Sequence, residues 1–152
     1  MHDVGKISVP DYILNKPGKL TAEEFEIMKE HTVNGCKILD SIDMIKCSPM
    51  YKYYYDICRS HHERWDGRGY PDGLVGDMIP ISAQIVSVAD VYDALTSKRV
   101  YKPPYSHEKA VDMILNGECG KFNPDIIECL KNCHMELKDI LDKMAFENKV
   151  NI

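Results

Sequence analysis

The sequence predicts an all-α helical bundle interrupted by one glycine-rich loop or short hairpin. Apolar residues recur at helical spacing along most of the 152 positions, helix-start signals stand ahead of these runs, and no stretch alternates convincingly as a strand. At this length a single domain over residues 1–152 with one core is expected.

The elements follow in order. Thr21 and Glu24 form a capping-box pattern, and Phe25, Met28, Cys36 and Leu39 continue it as one helix of about 20 residues. Ser48-Pro49 has the form of an N-cap with proline at the first helical position, opening a helix through the tyrosine run to about His62. From Asp66 to Pro80 four glycines and two prolines forbid a long helix, so an ordered loop or short hairpin is expected, and loops of this length usually carry a function. A helix resumes over Ser82 to Ser97; two more are capped by Ser106 and by Asn123-Pro124, and a last amphipathic one covers about 136 to 147.

Composition excludes several functions. With 44% hydrophobic and 28% charged residues the chain lies among ordinary globular domains. A formal net charge of -5 leaves no broad basic field for duplex nucleic acid, while a small anionic ligand needs only a few local cations in a cleft. No apolar run is long enough to cross a membrane and the start lacks a signal-peptide layout, so no membrane contact is expected of this segment. The six cysteines form no C-x-x-C pair, and they are expected to stay reduced in a cytoplasmic protein.

The helix from Ser82 to Ser97 is apolar around most of its circumference and should be buried on most sides, with Asp90 in its middle. A buried carboxylate needs a partner, which is either an arginine or helix terminus or else a metal ion. His2 and Asp3 near the start, His31 beside Met28 and Gly35, and the adjacent His61 and His62 widen the inventory: four histidines and two aspartates suit borderline divalent metals. A lone histidine of this kind is more often a hydrogen-bonded core residue. Asp3 could bridge two ions, and two ions about 3.5–4 Å apart would polarise a phosphoryl oxygen and activate water for phosphodiester hydrolysis.

Lys6, one turn beyond Asp3, could reach a phosphate held there. Arg99 and Lys102 could clamp a second one. Taken singly, each reads better as a solvated surface cation, but three of them flank the candidate ligands. Tyr70 could stack on a base, contact a phosphate, or simply pack its loop on the core.

Taken together these segments resemble the HD-GYP branch of the HD-domain phosphohydrolases, which hydrolyse cyclic di-guanylate (cyclic di-GMP). The matching text is His2-Asp3-Val4-Gly5-Lys6-Ile7, Pro10-Asp11, Lys16 to Thr21, His31, the block from His61 to Gly73 with Gly69-Tyr70-Pro71, and Ala89 to Ser97 with Arg99 and Tyr101-Lys102. The resemblance implies metal ligation by His2, Asp3, His31, His61, His62 and Asp90, with Asp3 bridging. It implies a catalytic role for Asp3 and Lys6, substrate contacts from Lys6, Tyr70, Arg99 and Lys102, and supporting roles for Asp93, Gly69 and Pro71. It further implies an HD-domain helical bundle, two divalent metal ions with iron or manganese preferred and zinc or nickel possible in a purified sample, and cyclic di-GMP as substrate with pGpG or GMP as product.

Two departures bear on this. Family members carry helices ahead of the His-Asp pair, so the resemblance implies an N-terminally truncated domain, a homodimer where apolar surface is uncovered, and an upstream sensory or receiver domain in the parent protein. Asn123 replaces a more usual aspartate before Pro124 and caps equally well. The expected function is a cyclic di-GMP phosphodiesterase; the alternatives are an HD-type hydrolase of another phosphoester and a non-catalytic cyclic dinucleotide-binding or protein-interaction module.

Overall fold

The computed structural model describes residues 1–97 and 103–150, with side chains for all of these except 141 and 144–150. A 3-10 turn over Val4–Ser8 leads into helices α1 (Asp11–Leu14), α2 (Ala22–Lys29), α3 (His31–Asp40), α4 (Asp43–Lys46) and α5 (Tyr51–Ser60). A long loop containing a second 3-10 turn, Gly76–Met78, connects to α6 (Ile81–Thr96), α7 (His107–Leu115) and α8 (Pro124–Val150). The all-α expectation holds, and the only β pairing among the described residues is an isolated bridge between Asp66 and Val75 inside the loop. No helix among them is long and apolar enough to cross a membrane.

Consecutive helices stack pairwise, α3 on the first turn and on α5, α5 on α6, α6 on α7 and α7 on α8. This leaves two apolar centres. Cys36, Leu39 and Cys58 form one between α3 and α5, closed by Val4, Tyr51, Tyr54 and Tyr55. Val88, Tyr92, Ala110, Val111, Ile114 and Leu130 form the other between α6, α7 and α8. All six cysteines are free thiols, as expected of a reduced protein.

The first turn approaches α3 closely because Gly5 and Gly35 have no side chains. A Cβ on Gly5 would lie 1.9 Å from the His31 carbonyl oxygen and 2.4 Å from the Gly35 nitrogen. A Cβ on Gly35 would meet Cys58 Sγ at 2.4 Å. Two glycines thus draw three elements onto one line, and the residues beside them, Asp3, His31 and His61, inherit that proximity.

Several boundaries differ from expectation. The capping box forms in full, with Glu24 N–H donating to Thr21 Oγ1 and Thr21 N–H to Glu24 Oε2, but the 20-residue helix is divided at Glu30. There the backbone tightens, Glu30 N–H reaching back three residues to Ile27, while the His31 ring takes the Met28 carbonyl. Ser48-Pro49 does not open α5 directly: the Ser48 hydroxyl accepts from Met50 N–H in a turn, and the helix starts at Tyr51. The segment 136–147 is not a separate helix, since α8 runs unbroken for 27 residues. Asn123 does more than cap α8, because its amide also donates to Gln84 Oε1 on α6, a bond that aspartate could not make.

The reading of α6 as buried on most sides is corrected. Ala83, Gln84, Ser87, Val88 and Tyr92 are buried, but Ile81 and Ile85 are 57% and 55% exposed. They face a groove of about 480 Å³ shared with Ile126, Cys129 and Leu137 of α8. Helical periodicity reports which face is apolar; it does not report whether anything covers it.

Candidate metal centre

Four sequence-predicted ligands converge. Asp3, His31, His61 and His62 each offer one ligand atom, and these atoms all lie within 4.8 Å of one another. Asp3 precedes the first 3-10 turn, His31 opens α3, and His61 and His62 follow the last residue of α5, so the cluster is built from element ends that the two glycines press together.

The histidine rings are set by backbone carbonyls. His31 Nδ1 lies 2.7 Å from Met28 O, and His61 Nδ1 lies 2.9 Å from Ile57 O. A carbonyl only accepts, so Nδ1 carries the proton in both rings and each Nε2 presents a lone pair. Those two Nε2 atoms face each other at 3.5 Å. Carbonyl support of the distal ring nitrogen is the usual outer shell of a histidine metal ligand.

Asp3 lies against this pair. Its Oδ1 is 3.5 Å from His31 Nε2 and 3.8 Å from His61 Nε2, and it is buried with no hydrogen-bond partner. Its Oδ2 accepts from Lys6 Nζ at 2.6 Å. Two facing lone pairs and an orphaned carboxylate oxygen repel one another unless a cation lies among them. The donor set therefore fits a divalent metal of the borderline class, bound by imidazole and carboxylate.

Electrostatics agree. Burial pushes the His61 and His62 imidazoles down to about 4 and about 3, and lowers His31 as well, so these rings are neutral and ready to ligate near neutral pH. Burial alone would raise the Asp3 carboxyl, but hydrogen bonds from His2 and Lys6 outweigh it and hold the group ionised, well below the usual carboxylate range. His2 and Asp90 complete the surroundings: His2 Nε2 lies 3.4 Å from Asp3 Oδ2 and 3.6 Å from Asp90 Oδ1. Hydrogen bonding to these two acids lifts His2 to about 9, and the same contact holds Asp90 low. Among the described residues Asp90 is thus partnered by His2, outside the group of four.

Tyr70 forms the wall of the site, its ring stacked on His62 at 4.7 Å between centroids. Gly69 allows the loop to lie on the chain after His62, since a Cβ there would stand 2.3 Å from Glu63 Cα. The Tyr70-Pro71 peptide bond is cis. Asp93, one turn after Asp90 on α6, is exposed and accepts from the Ser97 hydroxyl at 2.9 Å. Arg99 and Lys102 lie outside the described residues.

Sequence reasoning missed Glu63. This buried carboxylate accepts from Asp72 N–H at 2.8 Å, Gly73 N–H at 3.1 Å and Leu74 N–H at 3.1 Å, and so folds the glycine-rich loop back over the histidine pair. Arg59 adds a two-pronged pair to Asp72, 2.7 Å on each arm. The only signal was an acid directly after His61-His62 and shortly before a stretch rich in unpaired backbone donors.

Comparison with known proteins gives the same outline. A family model described as HD domain matches residues 1–126. A protein of Vibrio cholerae serotype O1 named "Probable cyclic di-GMP phosphodiesterase" is 43% identical over 154 residues, covering 100% of this chain and 35% of its own length. A "Cyclic di-GMP phosphodiesterase" of Thermotoga maritima is 46% identical over 140 residues, covering 92% of this chain and 37% of its own. A "3'3'-cGAMP-specific phosphodiesterase 2" of Vibrio cholerae is 43% identical over 130 residues, covering 86% and 24%. The chain spans about a quarter to a third of the length of these relatives. With its His-Asp pair, its convergent histidines and its Gly69-Tyr70-Pro71 loop, the chain belongs to the HD domain family, in the HD-GYP branch.

Proposed function

We propose that this chain is the catalytic portion of a metal-dependent phosphodiesterase acting on cyclic di-GMP and releasing linear pGpG or GMP. The observation that carries the proposal is the orphaned Asp3 Oδ1 facing two Nε2 lone pairs, a donor set with no internal partner. Asp3, His31, His61 and His62 would hold the metal, with His2 and Asp90 extending the set toward a second ion, iron or manganese being preferred. Divalent ions bound there would supply Lewis acidity toward a phosphoryl oxygen and a water activated near neutral pH.

The remaining steps belong to the chain itself. Lys6 steadies the Asp3 carboxylate and presents an ammonium, 37% exposed, on the open side of the cluster where a substrate phosphate would arrive. Tyr70 closes one side and keeps water from the imidazole pair. Arg99 and Lys102 would neutralise the second phosphate. Residues 1–152 act as one domain in this reading, joined in the parent protein to a sensory or receiver domain, and the unpaired cysteines suit a cytoplasmic setting.

The 3'3'-cGAMP-specific relatives support a second substrate of the same class, in which one guanine is replaced by adenine. Incubation of the metal-loaded protein with cyclic di-GMP, followed by chromatographic separation of products, tests the proposal. Linear product that disappears on chelation is expected; metal bound in full with neither cyclic dinucleotide cleaved overturns it.

A further inference from the structure

Beyond Tyr70 the site continues outward to side chains that the phosphodiesterase mechanism does not use. Tyr70 stacks on His62, and at its other edge stands Phe25, centroids 6.0 Å apart at 83°. Lys29 lies over both, its Nζ 5.6 Å from the Phe25 centroid and 5.8 Å from that of Tyr70. These residues come from α2, which contributes no buried residue to either apolar centre. Phe25 is 45% exposed.

α2 is nonetheless held firmly in place. The capping box fixes its start, Lys16 pairs with Glu24, and its last turn runs into His31. A short helix anchored at both ends that has no fully buried residue, and that holds an exposed aromatic ring and a cation one ring away from the candidate metal ligands, is placed to meet a ligand. Glu26 pairs with Lys29 at 2.7 Å from the solvent side, which keeps the ammonium over the aromatic corner.

We propose that Phe25 and Lys29 form the base-binding subsite of this enzyme, Phe25 stacking on a guanine and Lys29 donating to its O6 and N7. The inference rests on the cyclic dinucleotide reading given above. Its chemistry is specific: guanine offers two acceptors, O6 and N7, along the edge that a lysine reads, whereas adenine offers N7 beside an N6 amino donor that faces an ammonium unfavourably. Every base has a face to stack, so Phe25 supplies affinity and Lys29 supplies discrimination.

Calorimetric binding of the phosphorothioate analogues of cyclic di-GMP and cyclic di-AMP to the metal-loaded protein tests this without requiring turnover. Phe25→Ala should weaken both ligands by on the order of 5- to 100-fold with metal content retained, and Phe25→Trp should restore binding. Lys29→Met should narrow the preference for cyclic di-GMP over cyclic di-AMP. Wild-type affinity in Phe25→Ala, or an equal loss for both ligands in Lys29→Met, overturns the subsite; the second result would assign Lys29 to phosphate. Tight binding without cleavage of cyclic di-GMP would sink the phosphodiesterase reading and leave the subsite standing, and cleavage with unaltered binding in both variants would do the reverse.

Discussion

Asp3 Oδ1 lies 3.5 Å from His31 Nε2, and the contact exists because Gly5 allows the first turn to rest on the backbone of α3. Asp3 stands where an aspartate would ordinarily cap the turn, yet its side chain makes no capping bond. Its two oxygens are divided between Lys6 on one side and the imidazole pair on the other. The carboxylate is thus turned away from the cap and toward the imidazoles.

Gly5→Ala should therefore disturb the site through packing alone. The added methyl would stand 1.9 Å from the His31 carbonyl oxygen, so the turn must move away from α3. A loss of about 1–3 kcal/mol is expected from overpacking of this kind, together with weaker metal binding. Urea unfolding and metal analysis check both; unchanged metal affinity would show that Asp3 does not depend on this approach.

Glu63→Gln should loosen the loop. The amide keeps one acceptor oxygen but turns an NH2 group toward backbone N–H donors that the carboxylate had satisfied. A cost of about 1–3 kcal/mol is expected for leaving such groups unpaired, read as a lower Tm, and KM should rise because Tyr70 is carried by the same loop. A wild-type Tm would mean that the loop holds itself.

Metal-free protein should show opposing pH limbs. His61 and His62 titrate at about 4 and about 3 when folded, against about 6.5 in an unfolded chain. Between those values the unfolded chain binds more protons, so the stability they contribute is complete above about pH 6.5 and is lost as pH falls. His2, raised to about 9, acts in the other direction: its contribution is present below about pH 6.5 and is lost as pH rises through 9. Thermal melts across this range should show a maximum near pH 6.5, and His2→Asn should remove the alkaline limb while the acid limb of His61 and His62 persists. An alkaline limb that survives the substitution would show that His2 is not its source.

Lys6→Met should separate metal binding from catalysis. Asp3 loses a charge-assisted bond but remains beside the imidazoles, so metal content should persist while kcat/KM for cyclic di-GMP falls on the order of 10- to 100-fold. Metal lost in proportion to activity would reassign Lys6 to holding the site together.

The residue types of the centre were legible because their chemistry is local. An imidazole or a carboxylate at His2, Asp3, His31, His61, His62 or Asp90 carries its ligating capacity wherever it stands, and the family resemblance supplied the convergence. Glu63 was not legible, since its role depends on the backbone of Asp72, Gly73 and Leu74, which no residue identity at position 63 announces. The exposure of Ile81 and Ile85 was hidden for a related reason, as an apolar face reads the same whether covered or bare. The division at Glu30 was masked by good helical periodicity on both sides, because it arises from the His31 ring taking the Met28 carbonyl.

The central claim is that a cation lies among Asp3, His31, His61 and His62. Anomalous diffraction from crystals grown with manganese tests it most directly. The account predicts a peak within coordinating distance of Asp3 Oδ1 and the Nε2 atoms of His31 and His61, absent in Asp3→Ala. Manganese bound elsewhere, or a peak at full height without the Asp3 carboxylate, would contradict it.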